Sequence, residues 1–133
     1  MIRVIWGTII RIADWFGINE IFCSPTTVEL YNPKTIQASK GSFLRVNVYY
    51  IPFNELKMDS NIYATDMQGQ SIYSLKNKTG LIILGNEAHG ISPKIKEKAH
   101  QIITIPKNPY SKAESLNVAM SAAIIASEFS RRS

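Results

Sequence analysis

The run Leu81-Ile-Ile-Leu84 limits the folds open to this chain more than any other stretch. An unbroken apolar strand has no polar face to offer to water, so both of its sides must be covered. Sheets covered on both faces are largely parallel, because the crossover helices lie on those faces. Ile21-Phe-Cys23, Val46–Ile51, Asn61–Thr65 and Gln101–Ile105 read as further short strands rich in apolar residues. Helical signals alternate with them. Ile9, Ala13 and Phe16 share one face of a helix over Gly7–Phe16, which Gly17 can stop with a positive φ. Pro33 suits the first turn of a helix over Lys34–Ser39, and Asn54–Met58 reads as a weak helical turn. Ser92-Pro93 opens a lysine-rich helix to Lys98, and a last helix runs from near Ser115 to about Ser130. The expectation is an α/β fold: a mostly parallel sheet with helices on both faces.

Two polar junctions interrupt this apolar pattern. Leu84 runs into Gly85-Asn-Glu-Ala-His-Gly90, and Ile105-Pro106 leads to Ser115-Leu-Asn-Val118. Strands of an open α/β sheet bind ligands at their carboxyl edge, so the two junctions together predict one composite site. The spacing of Gly85 and Gly90 superficially resembles a phosphate-cradling loop. That loop needs Lys and then Ser or Thr directly after the second Gly, whereas Ile91-Ser92 follows here. A Gly-x-Gly-x-x-Gly dinucleotide fingerprint is also missing, which disfavours another type of nucleotide-binding domain.

The remaining polar candidates each have a plain structural reading. His89 and His100 lack partners at metal-ligand spacing and read as surface histidines. Ser115 has no histidine–acid pattern around it, and a helix N-cap is its structural alternative. Arg11 shares a helix face with Asp14 and Trp15, which makes a surface ion pair its structural alternative. Cys23, the single cysteine, sits in an apolar run and reads as a buried, inert thiol. Ala119, Ala122, Ala123 and Ala126 form a smooth stripe for close packing, either within the fold or across a dimer.

Charge adds a partner class. The 133 residues, expected to form one domain, carry a net charge of +5, with seven Lys/Arg against three Glu after Gly90. Such a field suits a polyanion, or is simply a solvated basic surface. Neither a signal peptide nor an apolar run of membrane-spanning length is legible, so a cytoplasmic protein with no membrane partner is expected.

Three blocks occur in a fixed order: Gly7-Thr-Ile-Ile-Arg-Ile-Ala13, Leu84-Gly-Asn-Glu-Ala-His-Gly-Ile-Ser92, and Ile105-Pro106 followed by Ser115-Leu-Asn-Val118. Together they resemble the three motifs of the SpoU/TrmH class of tRNA/rRNA 2′-O-ribose methyltransferases, in the SPOUT superfamily. The resemblance implies a C-terminal deep trefoil knot, S-adenosylmethionine (S-adenosyl-L-methionine) bound in it, an RNA substrate (rRNA or tRNA) and a homodimer. It places Gly85, Ile105 and Leu116 on cofactor-contacting positions, with Asn86, Ala64 and Thr65 as weaker candidates. It places Arg11, Glu87, Ser115 and Asn117 on the polar positions associated with catalysis. No metal is called for. Methyl transfer to a ribose hydroxyl is an in-line displacement that develops charge on the 2′-oxygen, so the site must orient the reactants and stabilise a nascent alkoxide. Because arginine is almost never deprotonated, Arg11 is expected to act as an electrostatic clamp. Ser115 and Asn117 would orient it and the substrate, and Glu87 would fix the loop or the arginine.

The chain departs from the family pattern at its start. Ile5 stands where the first motif has Asn, and Met1–Trp6 does not resemble the motif. The codons AAT GAT CCG GGT AAT TTG GGT encode Asn-Asp-Pro-Gly-Asn-Leu-Gly. Displaced by one base they encode Met-Ile-Arg-Val-Ile-Trp, the first six residues of this chain. One extra G in the following run restores the frame at Gly7. The expectation is therefore a frameshifted or truncated catalytic domain over residues 1–133, missing its first strand and any N-terminal RNA-binding domain. A catalytically inactive RNA-binding or dimerisation remnant is the alternative, favoured by loss of the motif asparagine.

Overall fold

The computed structural model describes residues 2–23, 45–50, 61–76, 78–85, 90–113 and 115–131. Two compact units are present, Met1–Lys57 and Met58–Ser133. The expected helices at Lys34–Ser39 and Asn54–Met58 lie outside the described residues, as do Asn86, Glu87 and His89.

In the first unit, α1 (Ile2–Trp15) starts earlier than the predicted Gly7. It buries Ile10 and Ala13 on one side. Gly17, at φ 73°, ends it as expected. The Ile18 amide donates to the Ala13 carbonyl at 2.8 Å and the Gly17 amide to the Asp14 carbonyl at 3.2 Å, the paired bonds of a Schellman cap. Strand β1 (Glu20–Cys23) pairs in parallel with β2 (Asn47–Tyr50), with Ile21 opposite Val48. Ile21 and Val48 then close over Ile10, Ala13 and Val46. The Asp14 carboxylate takes two bonds from the Arg45 guanidinium, at 2.8 and 2.6 Å. This corrects the ion-pair reading of Arg11: the sequence-distant Arg45 reaches Asp14 with a planar fork, and Arg11 is exposed.

The second unit holds a three-stranded parallel sheet in the order β4-β3-β5, built from β3 (Ile62–Ser71), β4 (Leu81–Ile83) and β5 (Gln101–Thr104). Strand β3 was expected to end at Thr65. It continues because Gln70 and Ser71 pair again with Ile103 and Thr104 after a bulge that begins at Thr65. A 3₁₀ turn, Ile72–Ser74, follows and buries Ile72. Helix α2 (Pro93–Lys98) has the predicted bounds, with Ser92 as its N-cap. His100 is exposed, yet its Nδ1 accepts the Ile62 amide at 2.9 Å, so it also fastens the start of β3 to β5.

Helix α3 (Val118–Ser130) opens later than expected. Its N-cap is Asn117, whose Oδ1 accepts the Ala119 amide at 2.8 Å, so the N-cap reading of Ser115 is corrected. Asn is as good a cap as Ser, and its position sets the first turn. The core is Tyr63, Ile72, Leu75, Ile103 and Ile125, and Phe129 meets Tyr63 edge-on at 5.3 Å. Ala119, Ala122 and Ala126 are buried within the chain itself. Packing inside the monomer therefore accounts for most of the small-residue stripe. Glu128 is buried and is held by Lys78 at 3.3 Å and Arg131 at 3.2 Å. Among the described residues, no helix is long and apolar enough to cross a membrane.

Candidate functional site

Parallel pairing brings the carboxyl ends of β4, β3 and β5 to one edge of the second unit. There, Thr65 stands opposite Ile103, and its Oγ1 donates to the Ile83 carbonyl at 3.1 Å. Leu84-Gly85 leaves β4 and Ile105-Pro106 leaves β5 at this edge. Together with Ser115 and Leu116 they line a cleft of about 490 Å³, within the range of small-molecule and cofactor sites. Gly85 and Gly90 from the first polar junction of the sequence, and Ile105, Pro106, Ser115 and Leu116 from the second, thus face one cavity.

Its walls have a distinct chemistry. Leu84, Ile91, Ile105, Leu116, Val118 and Ile125 supply apolar surface, while Thr65, Asp66, Lys96, Lys107 and Ser115 supply polar groups. This combination fits a nucleoside with an apolar ring and a charged tail better than a polyphosphate, which would want glycine-rich backbone and several cations. Gly85 has a steric reason to be glycine. A Cβ there would lie 2.4 Å from the Gly90 carbonyl carbon and 2.7 Å from the Ile91 nitrogen. The backbone of the turn closes on itself at that point, and its two ends form one wall.

The expected site residues are distributed as follows. Thr65, Gly85, Ile105, Ser115 and Leu116 line the cleft. Ala64 is fully buried in the core, one residue before the lining begins. Asn117 stands just behind Leu116, its carbonyl oxygen engaged in the helix cap by a bond that does not use its amide N–H groups. Arg11 belongs to α1 in the first unit, exposed and without a side-chain partner among the described residues.

Asp66, Lys96 and Lys107 also line the cleft; the sequence reading did not assign Asp66, and took the two lysines only as part of the basic C-terminal third that could track phosphates. Asp66 follows Thr65, where β3 was expected to end. Lys96 lies on α2, and Lys107 follows Pro106. The Lys96 Nζ reaches Asp66 Oδ2 at 2.5 Å, and the Met67 amide donates to Asp66 Oδ1 at 2.6 Å. The hydrogen bond from Lys96, and after it the Met67 amide, hold the Asp66 carboxyl below its ordinary range. Lys107 Nζ donates to the Ala113 carbonyl and so folds the loop between β5 and α3. Proximity of Ala64-Thr65 to a strand end was the signal available for Asp66. Lys96 reads from the sequence as one of several lysines able to track phosphates, and nothing local separates it from its neighbours on the same lysine-rich helix.

Comparison with known proteins identifies the family and the fold. The sequence profile of the SpoU rRNA methylase family matches residues 6–127. The chain is 32% identical over 128 residues to the 23S rRNA (guanosine(2553)-2′-O)-methyltransferase RlmP of Bacillus subtilis, covering 90% of this chain and 50% of that protein. A TrmH-family protein from Porphyromonas gingivalis superposes with a TM-score of 0.80 at 36% identity, over 92% of this chain and 53% of that one. The SpoU methyltransferase AviRb from Streptomyces viridochromogenes, solved in complex with AdoMet, has the same fold, with a TM-score of 0.83 at 24% identity over 96% of this chain and 55% of that one. The chain spans about half the length of the curated relatives it matches.

Proposed function

The chain belongs to the SpoU rRNA methylase family, and from that premise we propose that it methylates a ribose 2′-hydroxyl of structured RNA, rRNA or tRNA, with S-adenosylmethionine as donor and as a homodimer. The observation that carries this reading is the single cleft shared by the turn after Leu84 and the junction around Leu116. A deep trefoil knot, the family's way of joining two such segments, is part of the proposal.

The cofactor, when bound, supplies an activated methyl group. Leu84, Ile91, Ile105 and Leu116 would enclose its apolar surface, and backbone groups at Gly85 and Ile105 would fix its orientation. The work left to side chains is placement of the hydroxyl and stabilisation of the charge that grows on its oxygen, as the oxygen–methyl bond forms, the sulfur–methyl bond breaks to leave a neutral thioether, and the hydroxyl proton leaves to solvent. Ser115 and the amide of Asn117 would position the ribose from the end of the cleft. Arg11 would act as a fixed positive charge toward the alkoxide or an adjacent phosphate, and Glu87 would order the turn.

The test separates the two halves of the reading. Arg11→Ala should lower methyl transfer by about 100-fold or more, in line with removal of one electrostatic stabiliser, while calorimetry shows S-adenosylmethionine bound as in the wild type. Full turnover by Arg11→Ala eliminates its role. A wild-type chain that binds no S-adenosylmethionine would instead favour the inactive remnant.

A further inference from the structure

Asp66 and Lys96 meet on the wall of the cleft, from the bulge of β3 and from α2. As a surface ion pair they would add little stability, since both side chains are about one-third exposed, 36% and 35%. Their position is less ordinary. Both line the same cavity as Gly85, Ile105 and Leu116. Each also retains bonding capacity: one Lys96 N–H is spent on Asp66, leaving two donors, and each Asp66 oxygen has a second acceptor site. The pair therefore presents a fixed positive charge beside a fixed negative one, held in register by the Met67 amide.

S-adenosylmethionine ends in an amino acid group with the same two charges, an ammonium and a carboxylate. On the reading given under Proposed function, we infer that the Asp66–Lys96 pair is the receptor for that zwitterion, Asp66 taking the ammonium and Lys96 the carboxylate. The four charges would alternate in sign, so the ion pair need not open for the ligand to bind. The rest of the cleft is mainly apolar or hydroxylic and serves the nucleoside. Asp66 and Lys96 are thus positioning residues: they aim the donor group and take no part in the bond change.

Two neutral thioethers that differ only at this end provide the test. S-adenosylhomocysteine carries the same amino acid group as S-adenosylmethionine, whereas 5′-methylthioadenosine keeps the nucleoside and sulfur but lacks it. Calorimetry on the full chain is compared for the wild type, Asp66→Asn and Lys96→Gln, with thermal unfolding checking that each variant folds. Each variant should bind S-adenosylhomocysteine about 10- to 100-fold more weakly, the usual weight of a charge-assisted hydrogen bond, while binding of 5′-methylthioadenosine is unchanged. Equal weakening of both ligands, or of neither, would reduce the pair to a structural bridge and overturn the assignment. A wild-type chain that takes neither ligand overturns the cofactor reading itself, and this inference with it.

Discussion

At the scale of single residues, the cleft depends on the hydrogen at Gly85 where other residues carry a Cβ. The Gly90 and Ile91 backbones pass so close that a methyl group would meet main-chain atoms, not a flexible side-chain end. Gly85→Ala should therefore cost about 1–3 kcal/mol in denaturant unfolding, the usual range for overpacking a tight site. It should also weaken S-adenosylmethionine binding, because relief of the clash must move the turn that walls the cleft. A variant with wild-type stability would show that the turn moves without strain. Under the proposed function this glycine is a cofactor contact. The backbone gives it an additional duty, bringing the ends of the turn together.

At the scale of elements, α3 begins at the site, and its cap and its proposed chemical role fall on the same side chain. Asn117 accepts the Ala119 amide through Oδ1, a bond that does not use its amide N–H groups. Asn117→Asp keeps the capping oxygen and removes the donors. It should keep the wild-type unfolding midpoint to within a few tenths of a kcal/mol and lose methyl transfer. Asn117→Ala removes both, and should lose activity together with about 1 kcal/mol of stability. If Asn117→Asp stays active, the residue is a cap alone. The same elements show what the sequence could disclose. Strand β4, helix α2, strand β5 and the stop at Gly17 were legible because apolar runs, Ser-Pro and Gly are local signals. The extension of β3 was not, because Met67-Gln-Gly-Gln70 has no strand pattern and is held by re-pairing with β5. The cap at Asn117 was hidden by two adequate capping residues, Ser115 and Asn117, standing two apart. The Asp14–Arg45 and Asp66–Lys96 bridges join residues thirty or more positions apart, which no local pattern encodes.

At the scale of the whole molecule, the question is what the exposed apolar side chains of the second unit are for. The alanine stripe of α3 is consumed inside the chain, since Ala119, Ala122 and Ala126 are buried. On the other side of the same helix Met120 is 62% exposed, and Leu116, at the helix approach, is 45% exposed. A chain with net charge +5 resists self-association unless buried apolar area outweighs the repulsion. If the proposed homodimer forms, salt should strengthen it, by screening like charges, while weakening attachment to RNA, which depends on release of counterions from phosphates. Sedimentation equilibrium at micromolar concentration should give twice the 14.9 kDa chain mass, with a dissociation constant that falls as salt rises. Filter binding to rRNA over the same series should move the opposite way. A 14.9 kDa species at every salt concentration would remove the dimer from the proposal.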